Sequence, residues 1–200
     1  MKKLFLLLFT LFLPYCLTAQ NDGKAKEVLD KVITTLIKDG GVQIDFEGTE
    51  NGSIIMKNEK FYLHSGNIQS WYDGSTQWSY VADTEEVNIS NPTPEELQGI
   101  NPYFILINYQ ENFNYQYNGY ITTNGKQVHE IILLPKSNGT DKITLWISKL
   151  HYPIYIRVEQ NKKTVSEINV KSYQKQQHIS DQVFRFNKSL YPNVEIIDLR

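Results

Sequence analysis

Cysteine is nearly absent from these 200 residues: the single one is Cys16, inside the first 20 positions. A chain without that segment has no cysteine, which excludes disulfides, thiol nucleophiles and thiolate metal sites together. Excess positive charge is missing too. Removing Lys2 and Lys3 leaves 18 basic residues against 22 acidic ones, a formal charge of −4. Basic residues never cluster beyond pairs such as Lys162-Lys163, so the basic stripe of a nucleic-acid binder is not there. No apolar run reaches the ~20 residues of a spanning helix. The four histidines, His64, His129, His151 and His178, are far apart in sequence and lack metal-ligand spacing. No H-E-x-x-H, G-x-S-x-G or phosphate-cradling glycine loop occurs, and Glu95-Glu96 are neighbours that point apart on a helix. Catalysis has no evident constellation, and no cofactor or metal is implied.

What is present begins with a leader. Lys2-Lys3, the apolar stretch Leu4 to Leu13 and a small-residue exit predict a cleavable secretory signal over residues 1–20, cut beside Ala19 or Gln20. Tyr15, not a small residue, precedes Cys16, so the cysteine is read as incidental to the leader and not as an acylation site. Residues 21–200 then suit one exported domain.

That domain reads as mainly β. Ala25, Val28, Leu29, Val32 and Leu36 repeat at helical spacing from Asp22, and Gly40-Gly41 ends the helix. Afterwards the period is two, with 13 Tyr, 9 Phe and 3 Trp enriching the strands. Turn signals at Asn51-Gly52, Asp73-Gly74, Asn118-Gly119, Asn124-Gly125, Ser137-Asn138-Gly139, Pro153 and Asn161 divide the chain into roughly eleven short antiparallel strands. One interruption lies between Asn91 and Gln110. Thr93-Pro94-Glu95-Glu96 predicts a capped helix, and a second short helix follows Asn101-Pro102 with the apolar run Tyr103 to Ile107. Several strands are apolar on both faces, as in Ile54-Ile55-Met56 and Ile131-Ile132-Leu133-Leu134. Such a sheet must curl and take helices on one surface, which predicts an unclosed antiparallel β-barrel capped by the two helical segments. Pattern alone leaves open whether a cavity or a solid core lies beneath them.

Several stretches in this order resemble the LolA-like periplasmic lipoprotein carriers. Gly52-Ser-Ile-Ile-Met-Lys57 looks like that family's second-strand motif, and Trp71-Tyr-Asp-Gly-Ser-Thr-Gln-Trp-Ser-Tyr80 resembles its hairpin. Asn101-Pro-Tyr-Phe-Ile-Leu-Ile107 is similar to its lid, and Tyr191-Pro-Asn-Val-Glu-Ile-Ile-Asp198 to the ending of one branch. The resemblance implies a half-barrel whose apolar cavity binds the acyl chains of lipoproteins. An ATP-driven extractor at the inner membrane would load the carrier, and an acceptor at the outer membrane would empty it. The carrier would act as a monomer and without catalysis. Cavity residues implied on the sheet are Ile54, Met56, Trp71, Trp78 and Tyr80, and on the lid Tyr103, Phe104, Leu106 and Ile107. The better-known carriers have an arginine after the second-strand lysine that latches the lid. Here Asn58 follows Lys57, which leaves closure to apolar contact. Rival readings are an envelope sensor on the same fold, binding lipid or protein without passing it on, and a secreted hydrolase with a perturbed histidine or carboxylate in its cleft.

Overall fold

The computed structural model describes residues 22–200 apart from 102, 124 and 137–139. The leader expected over residues 1–20, with Cys16, lies outside the described residues, as do the turn positions 124 and 137–139.

Asp22 starts the first helix, α1 (Gly23–Asp39), by accepting backbone hydrogen bonds from Lys24 at 2.7 Å and Ala25 at 3.3 Å. Its other carboxylate oxygen accepts from the Tyr117 amide at 3.2 Å, which ties the helix start to the sheet. Gly40, at φ +72°, ends it as the glycine pair predicts. Ala25, Val28, Leu29 and Val32 are buried on one face, while Lys24, Lys26, Glu27, Asp30 and Lys31 pair with one another on the wet side.

Among the described residues twelve strands form one sheet. The first meander comprises β1 (Val42–Gly48), β2 (Gly52–Lys57), β3 (Lys60–Ser65), β4 (Ile68–Tyr72), β5 (Gln77–Val81) and β6 (Glu86–Ser90). The second comprises β7 (Phe113–Thr123), β8 (Lys126–Pro135), β9 (Lys142–Ser148), β10 (Pro153–Gln160) and β11 (Lys163–Lys175), and the last strand is β12 (Glu195–Asp198). Their order is β12-β6-β5-β4-β3-β2-β1-β11-β10-β9-β8-β7, so β1 and β11 seam the meanders together, with Ile44 opposite Tyr173. Strand β12 lies parallel to β6 and covers that edge. It does not pair with β7, so the barrel stays open, as the two-faced strands predict.

Two turn readings change. Asn118-Gly119 does not separate strands: the β7–β8 register shifts there, and Gly119 sits at φ +114° in a bulge within one long strand. The Asn51-Gly52 hairpin forms, but Gly52 is already in β2. A Cβ at Gly52 would lie 2.1 Å from the His64 carbonyl oxygen, so the glycine permits close strand approach. Asn58, at the β2–β3 turn, takes φ +55°, a conformation that asparagine tolerates better than most side chains.

One apolar core fills the concave face. Ile44, Ile54, Phe61, Ile131, Leu133, Leu145, Ile147 and Ile156 are fully buried and join the buried face of α1. Each contributes about 1.5–3 kcal/mol of apolar burial. The opposite face of β3–β5 is covered by the chain after β11. Phe186 and Tyr191 pack there on Trp71, at ring separations of 5.4 and 5.9 Å.

Candidate functional site

Between β6 and β7 the chain crosses the concave face as α2 (Pro94–Ile100), α3 (Phe104–Ile107) and α4 (Tyr109–Asn112). The capping box expected at Thr93 is present: its hydroxyl accepts from the Glu96 amide at 3.3 Å, and the Glu96 carboxylate accepts from the Thr93 amide at 2.8 Å. Asn101 ends α2 and opens the lid proper. Its side-chain oxygen accepts from the Tyr103 amide at 3.0 Å. Its side-chain nitrogen donates to the Met56 thioether at 3.5 Å.

In α3, Phe104, Ile105 and Leu106 are buried, while Ile107 is 43 % exposed. The Phe104 ring meets Phe61 edge-on at 5.9 Å and Tyr72 at 6.2 Å, which seats the lid on β3 and β4. The α4 end is fixed differently. Buried Tyr109 donates its hydroxyl hydrogen to Asp30 on α1 at 2.7 Å, and Gln110 donates to the same oxygen at 3.4 Å. The lid is therefore held by hydrogen bonds to Asp30 as well as by apolar contact. Burial would raise the Asp30 carboxyl, but hydrogen bonds from Lys26 and Tyr109 outweigh it and hold the group below its ordinary value. Lys57, which precedes Asn58, donates to the Ile179 carbonyl at 3.0 Å and to Asp181 at 3.1 Å.

Beneath the lid lies a cavity of about 350 Å³ between the C-terminal half of α1, the start of β1, the β2–β3 turn and α3. Met56, Tyr103, Phe104, Leu106 and Ile107 line it together with Ile33, Leu36 and Val42. At its mouth Ile37, 70 % exposed on α1, and Ile107 form an apolar side, and exposed Asn58 and Glu59 of the β2–β3 turn form a polar one. A second cavity of about 150 Å³ lies further along the sheet under Ile100, lined by Ile44, Ile54 and Leu63. Asn101 and Tyr103 border both cavities. The Tyr103 hydroxyl is buried with no hydrogen-bond partner among the described residues, and burial pushes its ionisation far up.

The residues singled out from sequence thus divide between two faces. Met56, Tyr103, Phe104, Leu106 and Ile107 meet at the larger cavity, and Ile54 at the smaller. Trp71, Trp78 and Tyr80 share the other face of the sheet. Trp71 and Trp78 are cross-strand partners, and Tyr80 packs on Tyr191 at 4.8 Å. Because neighbouring strand residues point to opposite faces, Tyr72 rather than Trp71 reaches the lid. Sequence reading did not single out the α1 contribution, Ile33, Leu36 and Ile37, although its helical period already carried Leu36.

Folding also brings together two of the dispersed histidines. His129 and His151 stack at 6.3 Å, and the His129 Nδ1 lies 2.9 Å from the Tyr117 hydroxyl oxygen. Burial lowers the proton affinity of both rings. Among the described residues no group of three or more His, Cys, Asp or Glu is arranged to hold a metal, and no helix is long and apolar enough to cross a membrane.

A family model described as outer membrane lipoprotein carrier protein LolA matches residues 15–162. Among solved structures, an uncharacterized conserved protein from Thermus thermophilus superposes with a TM-score of 0.65 at 15 % identity. The alignment covers 88 % of this chain and 99 % of that one, which shows a shared fold. A putative outer membrane lipoprotein-sorting protein domain from Vibrio parahaemolyticus gives a TM-score of 0.45 at 13 % identity, over 84 % of this chain and 98 % of that one. Mycobacterium tuberculosis lipoprotein LppX gives 0.43 at 11 %, over 78 % and 99 %. Among curated proteins no sequence matches this chain.

Proposed function

The chain belongs to the family of outer membrane lipoprotein carrier proteins LolA, and from that premise we propose that it ferries lipoproteins through the periplasm by holding their acyl chains under the lid. An ATP-driven extractor at the inner membrane loads it, and an acceptor at the outer membrane unloads it. The protein works as an exported monomer and catalyses nothing.

The observation that carries this reading is the apolar cavity of about 350 Å³ closed by a segment of short helices. That volume sits at the low end of ligand pockets, so part of an acyl chain fits without rearrangement, and lid movement would admit more. Burying about ten methylenes at ~0.8 kcal/mol each gives ~8 kcal/mol, the scale of micromolar affinity before association costs are counted. Association costs of similar size offset much of this, so lid movement that buries further methylenes sets the net affinity. The apolar rim of Ile37 and Ile107 offers the chain a first contact outside the cavity.

The test incubates residues 21–200 with inner-membrane vesicles from the source organism and identifies soluble complexes by mass spectrometry. ATP-dependent appearance of acylated lipoproteins with the protein supports the carrier. Lipid binding without lipoprotein release would replace it with the sensor reading, and binding of neither would end both.

A further inference from the structure

The two cavities follow one another along the concave face. Antiparallel pairing sets Val42 opposite Met56 and Ile44 opposite Ile54, successive rungs on the same face of β1 and β2. Val42 and Met56 line the larger cavity, and Ile44 and Ile54 the smaller. Two residues along a strand span about 7 Å, so little separates the two spaces. Asn101 and Tyr103 are the residues their linings share, which places the partition where the chain enters α3. The backbone holds that partition in place. The Tyr103 amide donates to the Asn101 side chain at 3.0 Å, the Phe104 amide to the Asn101 carbonyl at 2.9 Å, and the Leu106 amide to the Tyr103 carbonyl at 3.1 Å. The Asn101 side chain in turn donates to Met56 on the sheet. The Tyr103 hydroxyl, without a partner among the described residues, adds nothing to this anchorage. What stands between the cavities is a buried ring on a pinned turn. The lining also changes across it: Ile33, Leu36 and Leu106 wall the larger cavity, whereas Thr49, Glu50, Ser166 and Glu167 border the smaller.

We propose that the Tyr103 ring is a depth stop that sets the longest acyl segment the site takes. A chain enters at the mouth beside Ile37 and Ile107, runs between α1 and β2, and ends against the ring. This rests on the acyl-carrier reading above and adds to it a selectivity by chain length. Methylenes that fit short of the ring leave water and strengthen binding, and further ones stay outside and contribute nothing. Taking the ring away joins the larger cavity to the smaller and lengthens the site.

The test uses one soluble peptide carrying a single saturated acyl chain, in a series from octanoyl to stearoyl. Affinities are measured by calorimetry for the wild type, Tyr103→Phe, Tyr103→Leu and Tyr103→Ala, each first checked for cooperative unfolding. The wild type is expected to gain about fourfold in affinity per added methylene and then to level off at one chain length. Tyr103→Phe keeps the ring and should level off at that same length. Tyr103→Ala should go on gaining about fourfold per methylene past the wild-type limit. Tyr103→Leu keeps an apolar side chain in the core, guards against loss of the fold, and should also extend the limit. A wild type that gains across the whole series, a limit unmoved in both Tyr103→Ala and Tyr103→Leu, or a limit that moves equally in Tyr103→Phe would each overturn the depth stop and leave the carrier reading standing. If the wild type binds no member of the series, the carrier reading fails first and this one with it.

Discussion

Replacing Tyr109 with phenylalanine removes one oxygen from the joint between lid and helix. The hydroxyl donates to Asp30 at 2.7 Å, and Tyr109 itself is 1 % exposed, so the ring stays packed on Tyr115 when the oxygen is gone. A hydrogen bond to a charged partner contributes about 1.5–3 kcal/mol. The low end applies here. Asp30 keeps Lys26 at 2.5 Å, and its side chain is 42 % exposed, so water takes the vacated position. A loss of about 1.5 kcal/mol raises the open population of the lid roughly tenfold. Amide hydrogen exchange read over residues 104–112 measures that population directly. Exchange there should quicken by about tenfold, and an apolar fluorescent probe should enter the cavity faster. Lid amides exchanging at nearly the wild-type rate would refute the assignment of Tyr109–Asp30 as the latch.

Further outcomes follow from the same geometry. The Asp30 carboxyl is held below its ordinary value when folded, so its contribution to closure is complete above the unfolded value of about 4 and is lost as pH falls through the lower folded one. Protection of the lid amides, taken relative to their intrinsic exchange rate at each pH, should therefore fall on acidification below about pH 4, and Asp30→Asn should flatten that part of the profile. Leu106→Glu puts a carboxylate at a cavity wall that is 1 % exposed. It should abolish binding of acyl probes while β8–β10 amides stay protected; normal probe binding would show that the lid does not line the binding site. Tyr191→Ala removes ring contacts with Trp71, Tyr80 and Phe186 and a hydrogen bond to Gln69. Stability in urea should fall by about 3 kcal/mol, yet probe affinity per folded molecule should stay the same, since this cluster is on the far side of the sheet.

Much of this architecture is legible in the residues because local chemistry and tertiary need agree. The helical stripe from Ala25 and the Thr93 capping box each have one physical solution. The open barrel followed from strands that are apolar on both faces. What alternation cannot tell is which face turns inward. Trp71 and Tyr72 both demand cover, and the lid takes Tyr72 while the tail takes Trp71. That tail was opaque because β12 is so short and its pairing with β6 depends on a parallel partner far away in sequence. Asn118-Gly119 misled for a related reason: the same dipeptide serves a turn or a bulge, and only the neighbouring register decides. The Tyr109–Asp30 joint spans 79 positions, beyond any local pattern.

Photo-crosslinking an acylated lipoprotein to the protein tests the central claim most directly, with the photoreactive residue placed at Leu106 under the lid or at Trp78 on the opposite face. Acylation-dependent crosslinks through the cargo's chains are predicted at position 106 and none at 78. Equal crosslinking at both positions, or capture of the non-acylated cargo at 106, would contradict acyl binding under the lid.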